Sequence, residues 1–239
     1  MEAEVAGRGT GNTGHGPGDV PGIEVPLLAP TQRLVSLVPV TLRDAVTGQP
    51  PRLRTSVRVG VRDGALHVRF DGRDDGTAAT LRRRDEALWT EDVYEVFLSP
   101  FDPPTVYFEF EINPLGTLFD ARIESPDLAR ATMRADVSWN LTGLRGRSRT
   151  PPGRWSAVLQ IPLAPLVGDS LSLLPGDGRG ERESSRLPRS WRANFYRIDR
   201  GAVDEFTAWS PIVSDPPDFH QARRFGVLRL PISDSSFLV

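Results

Sequence analysis

Apolar and polar residues alternate with a period of two along most of the chain from residue 33 onward. The valines of residues 57–61 occupy every second position of one such run, which is the pattern of a strand with one buried face. Asp63 and Gly64 follow as a tight-turn pair, and a second alternating run extends to residue 71. Residues 57–71 are therefore predicted to form a β-hairpin.

Further alternating runs predict strands at residues 93–98, 107–113, 117–123, 136–144, 154–161, 191–198 and 224–230. No apolar period of 3.6 residues continues beyond about two turns, and only residues 126–131 and 162–167 favour short helices. Closely spaced strands without long helices are typical of two packed sheets. The sequence therefore predicts an all-β protein, a β-sandwich of two antiparallel sheets with about ten strands and one or two short helices.

The first 30 residues differ from the rest because they are rich in glycine and poor in large apolar side chains. Such a segment buries too little apolar surface to offset the entropy of ordering. Residues 1–30 are predicted to be a disordered tail, and residues 31–239 the folded domain. Gly9, Gly11 and Gly14 match the dinucleotide-binding pattern G-x-G-x-x-G. Neither a strand nor a helix flanks them, so we interpret the match as chance.

Composition removes several classes of enzyme. None of the 29 basic residues is a lysine, and there is no cysteine. Schiff-base and pyridoxal-phosphate enzymes need a lysine amine, and so does a phosphate-binding loop. Without cysteine, a thiolate nucleophile, a disulfide framework and a Cys-type zinc site are excluded as well.

Charge and hydropathy bear on partners and on location. A net charge of -2 argues against nucleic acid, which requires a positively charged face. The longest weakly polar stretch, residues 155–168, is shorter than the roughly 20 residues of a spanning helix, so no membrane partner is expected. The acidic start, residues 1–4, lacks the features of an export signal. We therefore expect a soluble, cytoplasmic protein.

Glutamates are concentrated on one face of the strand predicted at residues 107–113. Alternation places Glu109 and Glu111 on the face opposite Phe110. Glu95 likewise lies in an apolar strand, where a carboxylate needs an arginine or hydroxyl partner. Ion pairs on a solvated face are one interpretation of these glutamates. Paired carboxylates also perform glycoside cleavage, so a glycoside hydrolase that uses Glu109 and Glu111 is an alternative.

Short motifs occur along the chain in the order found in one family. The first are R-F-x-x-R-D-D at 69–75, R-D-E-x-L-W at 84–89 and E-D-V-x-E-V-F-L at 91–98. Later ones are E-I-N-P-L-G-T-L-F-D-A-R at 111–122, W-R-A-N-F-Y-R at 191–197 and A-W-S-P at 208–211. Together they resemble the family 9 carbohydrate-binding modules, in particular their stand-alone relatives, over about residues 35–231.

The resemblance implies a β-sandwich that binds sugars without cleaving them and has a role in carbohydrate catabolism. In such modules two tryptophans clamp a sugar ring, while glutamate, asparagine and arginine side chains hydrogen-bond its hydroxyls. The resemblance assigns these roles to Trp89 and Trp209, and to Glu95, Asn194 and Arg197. An indole packs well on the C–H face of a sugar, and the polar groups supply fixed donors and acceptors. Because such modules act outside the cell, an extracellular or periplasmic location is the alternative to the cytoplasm.

The remaining tryptophans and histidines carry weaker predictions. Trp139 and Trp155 lie within alternating runs and are predicted to pack in the core. Related DOMON-type domains bind haem on a similar sandwich through methionine and histidine ligands. Met133, with His67 or His220, is the corresponding set in this chain, and haem binding is therefore a second alternative.

Calcium is the other cofactor that the resemblance raises, since family members can carry structural calcium. Asp71, Asp74 and Asp75 offer oxygen ligands of the kind that calcium prefers. They do not meet the spacing of a calcium loop, so a solvated turn is favoured and no cofactor is expected. The glycan and the oligomeric state are left open.

Overall fold

Two β-sheets pack face to face in this protein. The structure is a computed structural model that describes residues 20–171 and 187–231. Its strands are β1 (Gly22–Glu24), β2 (Val40–Thr41), β3 (Arg43–Asp44), β4 (Thr55–Arg62), β5 (Ala65–Arg73), β6 (Val93–Ser99), β7 (Val106–Ile112), β8 (Leu118–Glu124), β9 (Arg134–Asp136), β10 (Arg145–Arg149), β11 (Arg154–Pro162), β12 (Ser190–Arg200), β13 (Asp204–Ala208) and β14 (Gly226–Arg229). The described helices are α1 (Ala164–Leu171) and four 3₁₀ helices at Leu34–Ser36, Leu88–Thr90, Arg130–Thr132 and Ala222–Arg224.

The larger sheet has nine strands in the order β1-β14-β12-β6-β7-β8-β9, with β13 paired to β12 and β3 to β13. The smaller sheet has five strands in the order β10-β11-β5-β4-β2. All strand pairs are antiparallel except β1 with β14, which is parallel. The long strands β12, β6 and β7 lie side by side in the larger sheet, so their side chains meet across neighbouring strands.

The core between the sheets is built from the apolar positions of the alternating runs. On β6, Tyr94 and Val96 belong to this core. The Tyr94 ring stacks on Phe70 of β5 and on Trp155 of β11, with centroid distances of 4.5 and 3.7 Å. Trp155 is fully buried, which confirms its prediction as a core residue. Trp139 is partly buried and packs against Phe108 at a centroid distance of 4.7 Å.

The outer face of the nine-stranded sheet is also covered. Phe97, Tyr107 and Tyr196 belong to a second apolar cluster there, to which the connecting segments contribute Leu88 and Phe219. Every residue of β6 and of β7 is consequently buried. A polar side chain on this face is therefore enclosed by apolar neighbours rather than by water.

The predicted sandwich is confirmed, and so is the predicted hairpin, which consists of β4 and β5. Its turn residues Asp63 and Gly64 have φ angles of 50° and 69°, the positive values that such a turn requires. The described residues hold 14 strands rather than about ten, because β2, β3 and β9 are too short to produce an alternating pattern. The strand predicted at 136–144 is wrong beyond Asp136, where β9 ends and turns follow.

The predicted boundary of the tail at residue 30 also differs from the structure. β1 pairs with β14, and Val25 and Leu28 are buried, so this segment belongs to the sandwich. The pairing partner lies about 200 residues away in sequence, which local composition does not reveal. The glycines at positions 9, 11 and 14 lie outside the described residues. In the described part of the chain, no helix is long and apolar enough to cross a membrane.

Candidate functional site

Three glutamates meet on the outer face of the nine-stranded sheet. Glu95 on β6 lies directly opposite Glu111 on β7, and Glu109 lies two residues away on the same face. Each offers a carboxylate oxygen within 4.8 Å of the others. The exposed fractions of Glu95, Glu109 and Glu111 are 2%, 7% and 0%, so the cluster is almost completely removed from water.

Burial raises the pKa of all three carboxyl groups, because the charged form loses its hydration. The pKa of Glu109 rises to about 7, and the rise is opposed by a hydrogen bond with Glu111 and by the charge of Arg130. The pKa values of Glu95 and Glu111 lie well above the usual range, since neighbouring carboxylates add to the effect of burial. The cluster therefore retains protons near neutral pH.

The cluster also has unused hydrogen-bonding capacity. In its ionised form, Glu111 has no donor for either carboxylate oxygen, although both oxygens are buried. None of the three glutamates forms an ion pair within the part of the chain that the structure describes. The opposing charges that reach them are Arg200, which acts on Glu95, and Arg130, which acts on Glu109. Because native proteins rarely bury polar groups without partners, such a site is suited to an external group.

An exposed tryptophan lies beside the cluster. Trp89 is 41% exposed and packs edge-on against Phe119, with ring centroids 5.2 Å apart. Phe119 lies opposite Glu111 in the pairing of β7 with β8, so one side chain separates the indole from the cluster. The Arg200 guanidinium donates to the carbonyl oxygen of Trp89 at 3.3 Å and lies over the Phe206 ring at 5.0 Å. Trp89, Arg200 and Phe206 together form the rim of the candidate site. The rim places an aromatic surface and a cation next to the buried carboxyl groups.

Residues 48–230 match the model of carbohydrate-binding family 9. The chain belongs to this family. The resemblance seen in the sequence motifs is thereby confirmed, and the match covers most of the described sandwich.

Solved structures show the same fold. A protein of Bacteroides uniformis described as a candidate carbohydrate-binding protein superposes with a TM-score of 0.65 at 18% identity, over 89% of this chain and 100% of the other. A family 9 module of Caldicellulosiruptor kristjanssonii in complex with cellotriose gives 0.56 at 12% identity, over 91% and 97%. Its complex with glucose gives 0.52 at 13% identity, over 90% and 98%. At these identities the likeness shows the fold alone.

A curated relative, an extracellular protein of Arthroderma benhamiae, is 24% identical in an alignment of 163 positions that covers 64% of this chain and 66% of the relative. The chain thus spans just under two thirds of that relative's length.

The structure brings two of the residues predicted for a family 9 site to one location. Trp89 and Glu95 lie on the same side of the nine-stranded sheet and are linked through Phe119 and Glu111. Asn194 lies on this face too, but its amide is already fully engaged. It donates to the Tyr196 hydroxyl at 2.9 Å and to the carbonyl of Ser210 at 2.8 Å, and its oxygen accepts from the Ser210 N–H at 2.9 Å. Asn194 therefore anchors the segment after β13.

Trp209 and Arg197 are placed elsewhere. Trp209 is 6% exposed and belongs to the core between the sheets, where it packs on Phe195 with ring centroids 5.4 Å apart. Arg197 is 1% exposed and pairs with Asp74 and Asp199. Both side chains lie on the opposite side of the sheet from Glu95, so the structure does not bring them to the site. The reason is the period of two along β12, which directs positions 194 and 197 to opposite faces.

The aspartates considered for calcium are not grouped as the sequence suggested. Asp71 pairs with Arg58 and Arg69, and Asp75 pairs with Arg52. Asp74 instead lies with Asp92 and Asp199, in the second group of described carboxylates whose oxygens lie within 4.8 Å of one another. The three candidate ligands therefore turn in different directions, and each has an arginine partner.

The side chains considered for haem do not fit a haem group. The Tyr107 hydroxyl hydrogen-bonds both Met133, at 3.3 Å, and His220, at 3.0 Å, so it occupies the position between them. His67 extends from β5 away from the core and lies on the outer side of the other sheet, where burial lowers its pKa.

Sequence reasoning missed the roles of Arg200 and Phe119 at the rim. Arg200 is the last residue of β12, beyond the matched motif at 191–197, and it reaches Trp89 only because β12 lies next to β6. Phe119 lies within a matched motif, and its alternation with Leu118 places it on the outer face. The alternation of Leu118 with Phe119 was therefore the sequence signal that could have identified Phe119.

Proposed function

We propose that this protein binds a carbohydrate without cleaving it, at the outer face of the nine-stranded sheet beside Trp89. The observation that carries the proposal is the exposed indole of Trp89 next to the buried carboxyl groups of Glu95, Glu109 and Glu111, of which ionised Glu111 has no donor for either oxygen. An aromatic face next to fixed polar groups is the combination that a sugar ring requires, since one side of the ring is apolar and its edge carries hydroxyls.

Each group has a distinct role in the proposed site. The Trp89 ring stacks on the C–H face of a terminal sugar. Glu95 and Glu109 accept hydrogen bonds from hydroxyls, while Arg200 donates from the rim. The family 9 module of C. kristjanssonii has been solved with glucose and with cellotriose, which supports a glucose-type ligand for this chain as well.

The proposed site has one tryptophan wall rather than two, because Trp209 lies in the core. A sugar held by one wall buries little apolar surface and must give up water from many hydroxyls. We therefore expect weak binding, with dissociation constants on the order of micromolar to millimolar. Phe206, which is partly buried beneath Arg200, is the aromatic side chain available on the other side of the rim.

The arrangement of the carboxylates favours binding over cleavage. Glycosidases place their two carboxyl groups on either side of the scissile bond, about 5–5.5 Å apart when they retain configuration and about 6.5–9.5 Å apart when they invert it. The oxygens of Glu95, Glu109 and Glu111 lie within 4.8 Å of one another and belong to one face of adjacent strands. Side by side on one face, these carboxyl groups do not flank a bond from two sides as a glycosidase pair does, which favours binding over cleavage.

The extracellular description of the A. benhamiae relative does not support the cytoplasmic location expected from the start of the sequence. We propose an extracellular site of action, which agrees with the expected abundance of glycans outside the cell. Fractionation of the native host tests this proposal, and protein confined to the cytosol would contradict it.

The function is tested by calorimetric titration with glucose, cello-oligosaccharides and a panel of other glycans. The wild type is expected to bind at least one of them, and Glu95→Gln to bind it at least tenfold more weakly. Chromogenic glycosides incubated with the same protein should remain intact. Turnover that is lost in Glu109→Gln would establish a hydrolase, and the absence of binding to every glycan would overturn the proposal.

A further inference from the structure

The five-stranded sheet has an unbalanced charge. Its strands carry one carboxylate, Asp71, and eight arginines. The whole chain has a net charge of -2, so this excess of positive charge is local to the sheet. A soluble protein ordinarily intersperses charges of both signs on its surface. The arginines are Arg58, Arg62, Arg69, Arg73, Arg145, Arg147, Arg149 and Arg154.

The arginines lie on the outer side of this sheet. Phe70 of β5 belongs to the core, so the odd-numbered positions beside it face outward. On β10, a Cβ atom at Gly146 would lie 2.8 Å from Ile112 of the other sheet, so Gly146 faces inward and the arginines on both sides of it face outward. The outer side of β4, β5, β10 and β11 is called the arginine face here. Five of its arginines are exposed, namely Arg73, Arg145, Arg147, Arg149 and Arg154.

The arginines are arranged on a regular grid. Arg145, Arg147 and Arg149 follow one another on β10 at intervals of about 7 Å. Arg147 lies in one row across the sheet with Arg69 and Arg58, on strands about 4.8 Å apart. The arginine face therefore presents cations over an area about 14 Å on each side.

Most of these charges are not balanced inside the protein. Arg58 and Arg69 share Asp71, whereas the other six arginines form no ion pair within the part of the chain that the structure describes. Arg73 and Arg154 lie directly opposite each other on β5 and β11. Like charges in this position destabilise a sheet. The arrangement therefore does not serve the stability of the fold.

Asp71 shows how a carboxylate is bound on the arginine face. The Arg69 guanidinium donates to both of its oxygens, through Nε at 2.8 Å and through Nη2 at 2.5 Å. Arg58 adds a third hydrogen bond at 3.1 Å. This two-pronged contact is the geometry in which a guanidinium binds a carboxylate most strongly. The arginines without an ion pair offer the same donors to a carboxylate from outside the protein.

We propose that the arginine face binds an acidic polysaccharide whose sugars carry carboxylate groups, a uronate chain. Its carboxylates pair with the arginines of β10, β11 and β5. Ser156 and Gln160 of β11 lie between the arginines of β10 and the outward positions of β5, where they can hydrogen-bond sugar hydroxyls. The arginine face lies on the opposite side of the sandwich from Trp89, so this inference goes beyond the proposed function.

Other polyanions fit the arginine face less well. Among the described residues, the exposed large apolar side chains all lie outside the strands of this sheet. The face therefore lacks the aromatic platforms on which single-stranded nucleic acids stack and the apolar side chains that enter a lipid bilayer. A flat sheet also does not enter the groove of a duplex, which admits a helix or a two-stranded ribbon.

The test is a calorimetric titration of the full chain with polygalacturonate at pH 7 in 50 mM sodium chloride. Fully methyl-esterified polygalacturonate is the matched control, since it keeps the sugars and lacks the charge. The charged polymer is expected to bind at least tenfold more tightly than the ester, and 300 mM salt should weaken its binding at least tenfold. Equal affinity for the ester, or no binding of the charged polymer at 50 mM salt, would overturn the inference.

Variants locate the binding to the arginine face. The triple change Arg145→Gln, Arg147→Gln and Arg149→Gln should weaken polygalacturonate binding at least tenfold. Three exposed arginines elsewhere provide a control with the same loss of charge, namely Arg82→Gln, Arg134→Gln and Arg223→Gln, which together should change the affinity less than twofold. An equal loss in both triple variants would show attraction by net charge alone and refute the inference.

A single variant separates binding from stability. Arg154→Gln removes the like-charge contact with Arg73, so it should weaken polygalacturonate binding while the melting temperature stays the same or rises. A fall in melting temperature with unchanged binding would assign Arg154 a structural role and contradict the proposal.

Two further ligands distinguish the other classes of partner. Vesicles of phosphatidylserine and phosphatidylcholine and a short DNA duplex are titrated at 150 mM salt. Tighter binding of either one than of polygalacturonate would overturn the choice of a uronate chain.

The two proposals fail separately. Trp89→Ala should leave polygalacturonate binding unchanged, and the β10 triple variant should leave binding of neutral glycans unchanged. Polygalacturonate binding without binding of any neutral glycan would overturn the proposed function alone. The opposite result would overturn only the role of the arginine face.

Discussion

Replacement of Trp89 or of Trp209 by alanine is expected to have opposite effects on sugar binding and on stability, because one side chain lies at the site and the other in the core. Both tryptophans were predicted as walls of one cleft, but Trp89 is 41% exposed on the outer face and Trp209 is 6% exposed between the sheets. Trp89→Ala should remove sugar binding at a modest cost in stability. Trp209→Ala should do the reverse, with a large loss of stability and sugar binding intact in the molecules that remain folded.

The magnitudes follow from burial. Trp209 packs on Phe195 within the core, and removal of a buried tryptophan side chain typically costs about 3–5 kcal/mol. In a domain of this size that loss lowers the melting temperature by about 6–20 °C. Trp89 is 41% exposed, so roughly 150 Å² of it is buried, and its removal should cost about 2–3 kcal/mol once residual burial in the unfolded chain is allowed for. Loss of an aromatic contact at the centre of a binding site typically costs about 2 kcal/mol or more, which weakens binding roughly thirtyfold.

The assay measures urea unfolding and calorimetric titration with the best-bound oligosaccharide on the same three proteins. A Trp89→Ala variant that binds as the wild type does would refute the assignment of the site to this face. The reasoning would also fail if Trp209→Ala abolished binding while its unfolding midpoint stayed that of the wild type. Circular dichroism of each variant establishes that the compared molecules are folded.

Further predictions concern the packing and the charges. A Cβ atom at Gly226 would lie 2.5 Å from the Trp209 ring, so Gly226→Ala should lower the free energy of unfolding in urea by about 1–3 kcal/mol. Gly76→Ala is the control, because a Cβ atom there meets no atom within 4 Å, and it should lower the free energy of unfolding by less than about 0.5 kcal/mol. Burial lowers the pKa of His220 to about 4, so its contribution to stability is complete above about pH 6.5 and is lost as the pH falls toward 4. At pH 5 this loss is about 2 kcal/mol. Between pH 7 and pH 5, the free energy of unfolding should therefore decrease less in His220→Gln than in the wild type. Arg197→Met leaves the buried Asp74 and Asp199 without their cation and should lower the free energy of unfolding by about 3–5 kcal/mol. A loss of sugar affinity of the same size in the folded fraction would contradict the placement of Arg197 in the core.

The candidate site was only partly predictable from the sequence. Alternation is a local property, and it was enough to place Glu109 and Glu111 on one face and to mark Glu95 as a carboxylate among apolar neighbours. The same period of two places Asn194 and Arg197 on opposite faces of β12, because they are an odd number of residues apart. It therefore argues against a shared role for them. The family resemblance indicated Trp89 and Glu95, because their spacing of six residues survives in the motif.

By itself, the sequence determined the sandwich and the buried face of each long strand, because side chains alternate between the two faces of a strand whatever its neighbours are. Only the tertiary structure decided which strands are adjacent. The register of β6 with β7 sets Glu95 opposite Glu111, and the segment after β13 turns Trp209 into the core. Register and chain path depend on contacts between residues far apart in sequence, and the pairing of β1 with β14 joins nearly the two ends of the described chain. The glutamate cluster is a product of the pairing of β6 with β7, since no short segment contains all three carboxylates.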